Sequence, residues 1–141
     1  PQTHPRLTTM AVFHTEVALR WGDMDALGHV NNAATLTLLE EGRVRLLAEA
    51  RQALRPDFGL VVGRHEIDYL RPLYYAIEPV AMDVWVDRIG TASFTFGCEI
   101  RDASGEVAVR AQTVVVCIVR DGSGSMPLPQ AARDALARYL I

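Results

Sequence analysis

Lysine is absent from this chain of 141 residues, and all 14 basic residues are arginine. We read that mainly as genomic composition, although arginine also suits bidentate contacts with phosphate. Basic charge is not in excess either. Seventeen acidic residues leave a formal net charge of −3, which argues against a broad cationic surface for nucleic acid. No apolar stretch reaches the roughly 18 residues of a membrane helix, and no signal-peptide pattern opens the chain. The expectation is a cytoplasmic protein with no membrane partner. Cysteine is scarce, with only Cys98 and Cys117. If the turn near Ala103-Ser104 joins two antiparallel strands, Cys98 faces Val109 and Cys117 lies near Gly90, far along the ladder. A bridge needs Cα atoms within about 7 Å, so both read as buried free thiols. Neither has a CxxC or Cys/His neighbourhood, and no metal or redox role is expected of them.

Half the residues are apolar and 22% are charged, the balance of an ordinary globular protein. The length suits one domain over residues 1–141 with a real hydrophobic core; residues 1–10, with two prolines, read as a loose lead-in. From Val12 to Trp21 the pattern alternates, with Phe13, Val17, Leu19 and Trp21 on one face and His14, Glu16 and Arg20 on the other. That predicts a half-buried strand, with His14 a solvated residue on it. Asn31 or Asn32 can cap a helix of about 20 residues, ended by Arg55-Pro56-Asp57. Its apolar positions are Leu36, Leu39, Leu46, Leu47, Ala50 and Leu54, and Glu41 with Arg45 has the spacing of a surface pair.

Strand patterns fill most of the remainder. Leu60–Leu70 puts Val61, His65, Ile67 and Tyr69 on one side and Arg64, Glu66 and Asp68 on the other. Val80–Val86 and Ser93–Arg101 each carry four apolar residues on one face. Val107–Val119 alternates, then becomes continuously apolar from Val114, as in a strand covered on both sides. Turns are marked at Arg71-Pro72, Ile89-Gly90, 102–105 and 121–124, and 127–140 predicts a short amphipathic helix. The order is strand, long helix, then four strands with short links. An α+β architecture follows, an antiparallel meander of about five strands curled around one long helix. The apolar run at Val114–Val119 suggests that a partner covers the outer face.

Between the first strand and the helix stands Arg20-Trp21-Gly22-Asp23-Met24-Asp25-Ala26-Leu27-Gly28-His29-Val30-Asn31-Asn32. A carboxylate such as Asp25 can act as a general base on water or attack a carbonyl directly. Unpaired amides at a helix start can stabilise the charge that develops on that carbonyl. Gly28 allows a sharp turn that brings the two together. A plainer reading stays open, in which the carboxylates hold a turn and the asparagines only cap.

The run from Asp25 to Asn32, followed by Leu39-Glu40-Glu41-Gly42-Arg43, resembles hotdog-fold acyl-CoA thioesterases, and most of all their 4-hydroxybenzoyl-CoA thioesterase-like branch. Further matches are Glu66–Leu73, Ile89-Gly90 with Ser93-Phe94, and Pro127-Leu128-Pro129. The resemblance implies a long helix wrapped by an antiparallel sheet, in agreement with the order above. It makes Asp25 the catalytic carboxylate and has His29 orient groups near it. It assigns the amides around Asn31 and Asn32 to polarising the thioester carbonyl, and it leaves Asp23 structural. It also implies a homodimer, two sheets joined edge to edge with the active site at the interface, and no metal or cofactor beyond the coenzyme A of the substrate.

Weaker candidates for the substrate pocket are Thr35, Leu39, Glu40 and His65. Glu40 and Arg43 sit one turn apart and can pair, His65 on an apolar face reads equally as a satisfied core residue, and Tyr69 reads as core. Arg88 lies near where relatives hold the nucleotide phosphates. Thr35 stands where many relatives carry an aromatic, which predicts a reshaped acyl site. Val116–Val119 with Arg120 is apolar enough to suggest a homotetramer. Three functions fit: an acyl-CoA thioesterase, an acyl-carrier-protein thioesterase, and a non-catalytic acyl or acyl-CoA binding module. The first is favoured, and Asp25 together with the GHVNN turn argues against the third.

Overall fold

The structure is a computed structural model and describes residues 11–50 and 57–141. Strand β1 covers Phe13–Val17, shorter than the alternation predicts. Leu19 continues inward and is buried, but Trp21 opens a single 3-10 turn, Trp21–Asp23, and is 74% exposed. The cause is local: Asp23 accepts the Arg20 amide and guanidinium, which turns the chain off the strand line.

Helix α1 spans Asn32–Glu49. Asn31 is the N-cap, its Oδ1 accepting the Ala33 amide at 2.8 Å. The described helix ends at Glu49 with Ala50 as cap; the predicted stop at Arg55-Pro56 and the core position Leu54 lie outside the described residues. Leu38, Leu39, Leu46 and Ala50 are buried, whereas Leu36 turns outward. Gly42 lets helix and sheet approach closely. A Cβ there would stand 2.6 Å from Met82 Cε and 3.2 Å from Val84 Cγ2.

The sheet is β1-β3-β4-β5-β2 in spatial order, with β2 Phe58–Tyr69, β3 Val80–Ile89, β4 Ser93–Arg101 and β5 Val107–Val119, all neighbours antiparallel. Only β3, β4 and β5 form a meander. The link at 70–79 carries the chain from β2 on one edge to β3 beside β1, so the expected run of short turns breaks there. In β3 and β4 the predicted faces are the buried ones: Val80, Met82, Val84 and Val86, then Phe94, Phe96, Cys98 and Ile100. The β4–β5 register differs from the expected one. Cys98 faces Ala111, and Val109 faces Ile100, because the ladder shifts at Ile100/Arg101 beside the 102–105 turn. Both cysteines are buried and free.

In β2 a bulge at Gly63 interrupts the alternation. His65, Ile67 and Tyr69 face the helix side with Thr113, Ala111 and Val109, while Val61 swings to the opposite face with Val116. Helix α2 is Gln130–Ala137, shorter than predicted. The chain after it joins β3 through Val86 N–H to Tyr139 O, 2.8 Å, and Ile141 N–H to Val86 O, 3.1 Å. The Tyr139 hydroxyl donates to Glu49, tying this end to the last turn of α1. The outer face carries more charge than the apolar run suggests. Asp83, Arg101, Glu99 and Arg110 form a chain of ion pairs across β3, β4 and β5, with His14 of β1 hydrogen-bonded to Asp83, and the apolar strip is confined to Val61, Val114, Val116 and Ile118.

Candidate active site

The turn before α1 is built by its own polar groups. Asp25 N–H donates to His29 O at 2.7 Å, and Gly28 N–H to Asp25 O at 3.1 Å. Gly28 has φ +81°, a left-handed conformation that a side chain would strain. Asp25 Oδ1 accepts the amides of Leu27 at 2.9 Å and His29 at 3.1 Å. Among the described residues its Oδ2 accepts none. One oxygen therefore fixes the carboxylate while the other stays available. The plain turn-holding reading and the catalytic one thus apply to different oxygens of one group.

Asp23 sits beneath the turn, buried. Hydrogen bonds from Arg20 hold its carboxyl below the usual carboxylate range, and its main-chain oxygen accepts the Asn31 amide at 2.8 Å. That bond corrects one expectation: the Asn31 main-chain amide is already engaged and cannot polarise a substrate carbonyl. The first helical residue, Asn32, has no partner for its amide within the helix, and it lines the same cavity as Asp25.

That cavity is about 550 Å³ and is lined by Asp25, His29, Asn32, Thr35 and the segment 69–73, with Val30 and Val109 closing it. The His29 ring packs edge-on against Tyr74, ring centres 4.8 Å apart. It is the His29 main chain, not the ring, that touches Asp25. Thr35 is buried in the cavity wall, its hydroxyl donating to Asn31 O at 3.3 Å. Tyr69 is a residue the sequence reading missed. It is half exposed rather than core, and its hydroxyl donates to Asn32 O at 2.9 Å, pinning the first turn of the helix to the end of β2.

The remaining candidates are not gathered there. Leu39 is 1% exposed and belongs to the core under the helix. Glu40 points outward from α1; it lies near enough to Arg43 to favour its charge, without a hydrogen bond. Arg43 is buried, which pushes its pKa down, and its Nη1 has no hydrogen-bond partner among the described residues. His65 stands at the exposed sheet edge instead of in an apolar core, Nδ1 2.9 Å from Thr113 Oγ1. Desolvation, and then the Arg43 charge, lower its pKa. Arg88 lies in a separate groove on the outer face with Arg64, Glu66 and Asp87, which shares no lining residue with the Asp25 cavity. No group of three His, Cys, Asp or Glu side chains suited to a metal ion occurs among the described residues.

The chain is similar to known proteins over most of its length. A 1,4-dihydroxy-2-naphthoyl-CoA hydrolase of Gloeothece citriformis is 30% identical over 136 residues, covering 92% of this chain and 93% of that protein. A thioesterase of Thermus thermophilus, solved with coenzyme A and Zn, superposes with a TM-score of 0.76 at 33% identity, covering 92% and 95% of the two chains. Slr0204 of Synechocystis, a 1,4-dihydroxy-2-naphthoyl-CoA thioesterase, gives 0.79 at 25% identity, covering 89% and 97%. The sheet wrapped on one helix is thus the hotdog fold of these thioesterases. The sequence profile of the thioesterase-like superfamily matches residues 19–136, a span that holds the Asp25 turn, α1 and all of β2 to β5, and the chain belongs to that superfamily.

Proposed function

We propose that this protein hydrolyses an acyl-CoA thioester to the free acid and coenzyme A. The observation that carries the reading is one cavity that holds both a carboxylate with a free oxygen, Asp25, and a helix-start amide, Asn32. The relatives' CoA-ester substrates support the thiol half. With the carbonyl oxygen directed at the Asn32 amide, the developing oxyanion gains a donor and the positive end of the helix. Asp25 Oδ2 then acts in one of two ways. As a base it takes a proton from water, the hydroxide adds to the carbonyl carbon, and the C–S bond breaks as the thiolate leaves with a proton. As a nucleophile it forms a mixed anhydride that water then opens. Either route needs no cofactor beyond the substrate's own CoA.

The working unit in this reading is a dimer joined at β2. That strand of 12 residues pairs only with β5 in the described chain, leaving a long open edge with Val61, Val62 and Tyr69 exposed. The opposite edge, β1, has 5 residues and gives its Glu16 carbonyl to Arg45. Two buried free thiols suit a reducing cytoplasm.

The test is thiol release from a panel of CoA esters differing in acyl length, branching and aromatic character. Release from at least one is expected, and the ester with the highest kcat/KM names the acyl class. No release from any of them, with carrier-protein thioesters cleaved instead, would overturn the choice of thiol.

A further inference from the structure

Arg71 stands between two cavities. One holds Asp25 and Asn32. The other, about 540 Å³, runs from Leu70, Arg71 and Pro72 past Tyr74 to the β4–β5 turn at 102–104. The two share Leu70, Arg71 and Pro72, so they adjoin along that segment. The backbone there is fixed: the amides of Leu70 and Arg71 both donate to Ala108 O, at 2.8 and 3.1 Å, and Pro72 restricts the backbone of Arg71 before it. The guanidinium is thus carried on a rigid support.

That guanidinium is held more loosely than six others of the chain. Arg20, Arg45, Arg64, Arg101, Arg110 and Arg133 each donate hydrogen bonds to named acceptors. The Arg71 side chain donates none among the described residues and is 54% exposed. Its ionic neighbour is Asp102, Nη1 to Oδ2 3.7 Å, longer than a hydrogen bond. Asp102 is occupied elsewhere, its Oδ1 accepting the Ser104 amide and hydroxyl and the Glu106 amide. About half of the side chain therefore stays open to solvent beside the Asp25 cavity, held by one carboxylate without a hydrogen bond.

We propose that Arg71 anchors the phosphate-bearing half of the CoA thioester, with the pantetheine arm passing Pro72 from the second cavity into the first. The assignment rests on the thioesterase reading above. A phosphate offers the fork two oxygens at hydrogen-bond distance, which the Asp102 contact does not. Asp102 competes for the same guanidinium and so weakens the hold. Arg88 is the poorer anchor, since Glu66 and Asp87 share its groove, away from Asp25.

The experiment compares one acyl group carried on CoA and on pantetheine, which lacks the nucleotide phosphates. In Arg71→Ala, the ratio of kcat/KM for the CoA ester to that for the pantetheine ester is expected to fall by about tenfold or more, the worth of a charge-assisted phosphate contact. In Asp102→Asn, which keeps the oxygen that serves the turn, the ratio is expected to rise. An unchanged ratio in Arg71→Ala would overturn the proposal, as would an equal loss on both esters, the result for an arginine that reads the acyl half. Calorimetry with CoA and pantetheine as ligands separates this from the hydrolase reading. If wild type cleaves neither ester, tighter binding of CoA than pantetheine that disappears in Arg71→Ala still supports the anchor, and equal binding of both by wild type overturns it.

Discussion

Asp23 and Asp25, two residues apart, show how placement divides roles between like side chains. Asp23 is buried under Arg20 and holds the turn; Asp25 gives one oxygen to the turn, keeps the other without a donor among the described residues, and lines the cavity. Because Arg20 lowers the folded pKa of Asp23, its contribution to stability is fully present above the unfolded value, about 3.9, and is lost as pH falls through the lower folded value. Asp23→Asn should therefore melt below wild type by a constant margin above about pH 5, with the margin closing below about pH 4. A margin independent of pH would show that the charge is immaterial. Burial raises the Cys98 thiol to about 12, so native protein at pH 8 should resist iodoacetamide at both buried cysteines and react at both in urea. Tyr69→Phe removes the hydroxyl that pins Asn32, and kcat should fall by about fivefold, the worth of one hydrogen bond of about 1 kcal/mol. Steady-state kinetics that match wild type would mean the first turn of the helix needs no pin.

At the scale of elements, β4 carries a sharper constraint than its pattern reveals. A Cβ on Gly97 would lie 2.2 Å from Trp85 Nε1 and 2.4 Å from Cε2, where a rigid indole leaves no room to give. That indole donates to Asp87 Oδ1 at 2.7 Å. Gly97→Ala should cost about 1–3 kcal/mol in urea unfolding and shift Trp emission; full wild-type stability would refute the packing account. Alternation made β3 and β4 legible, since one face of each is wholly buried and period two follows directly. The helix start was legible for the same kind of reason: Asn31 is a cap whose side-chain chemistry is local. The rest was set by contacts distant in sequence. Gly63 bulges β2 to hold its register with β5, the 70–79 link crosses to the far side of the meander, and Tyr69 looks apolar in the pattern yet bonds a residue 37 positions away. Asp25 and Asn32, seven positions apart, come to line one cavity because the turn between them is local. Leu39 and His65 do not line it, since their surroundings depend on how close helix and sheet come.

For the whole molecule, the open β2 edge predicts a mass in solution of twice the 15.6 kDa chain, read by sedimentation; a monomer at micromolar concentration would contradict the proposed interface. Asp25→Asn keeps an oxygen for the Leu27 and His29 amides, so the turn should survive while the base or nucleophile is lost. The decisive measurement is kcat of Asp25→Asn against wild type on the best CoA ester, with matched circular dichroism. A loss of at least about 10²-fold is expected, since general-base steps alone are worth that much. Equal rates in two folded proteins would reduce Asp25 to a turn residue and contradict the account.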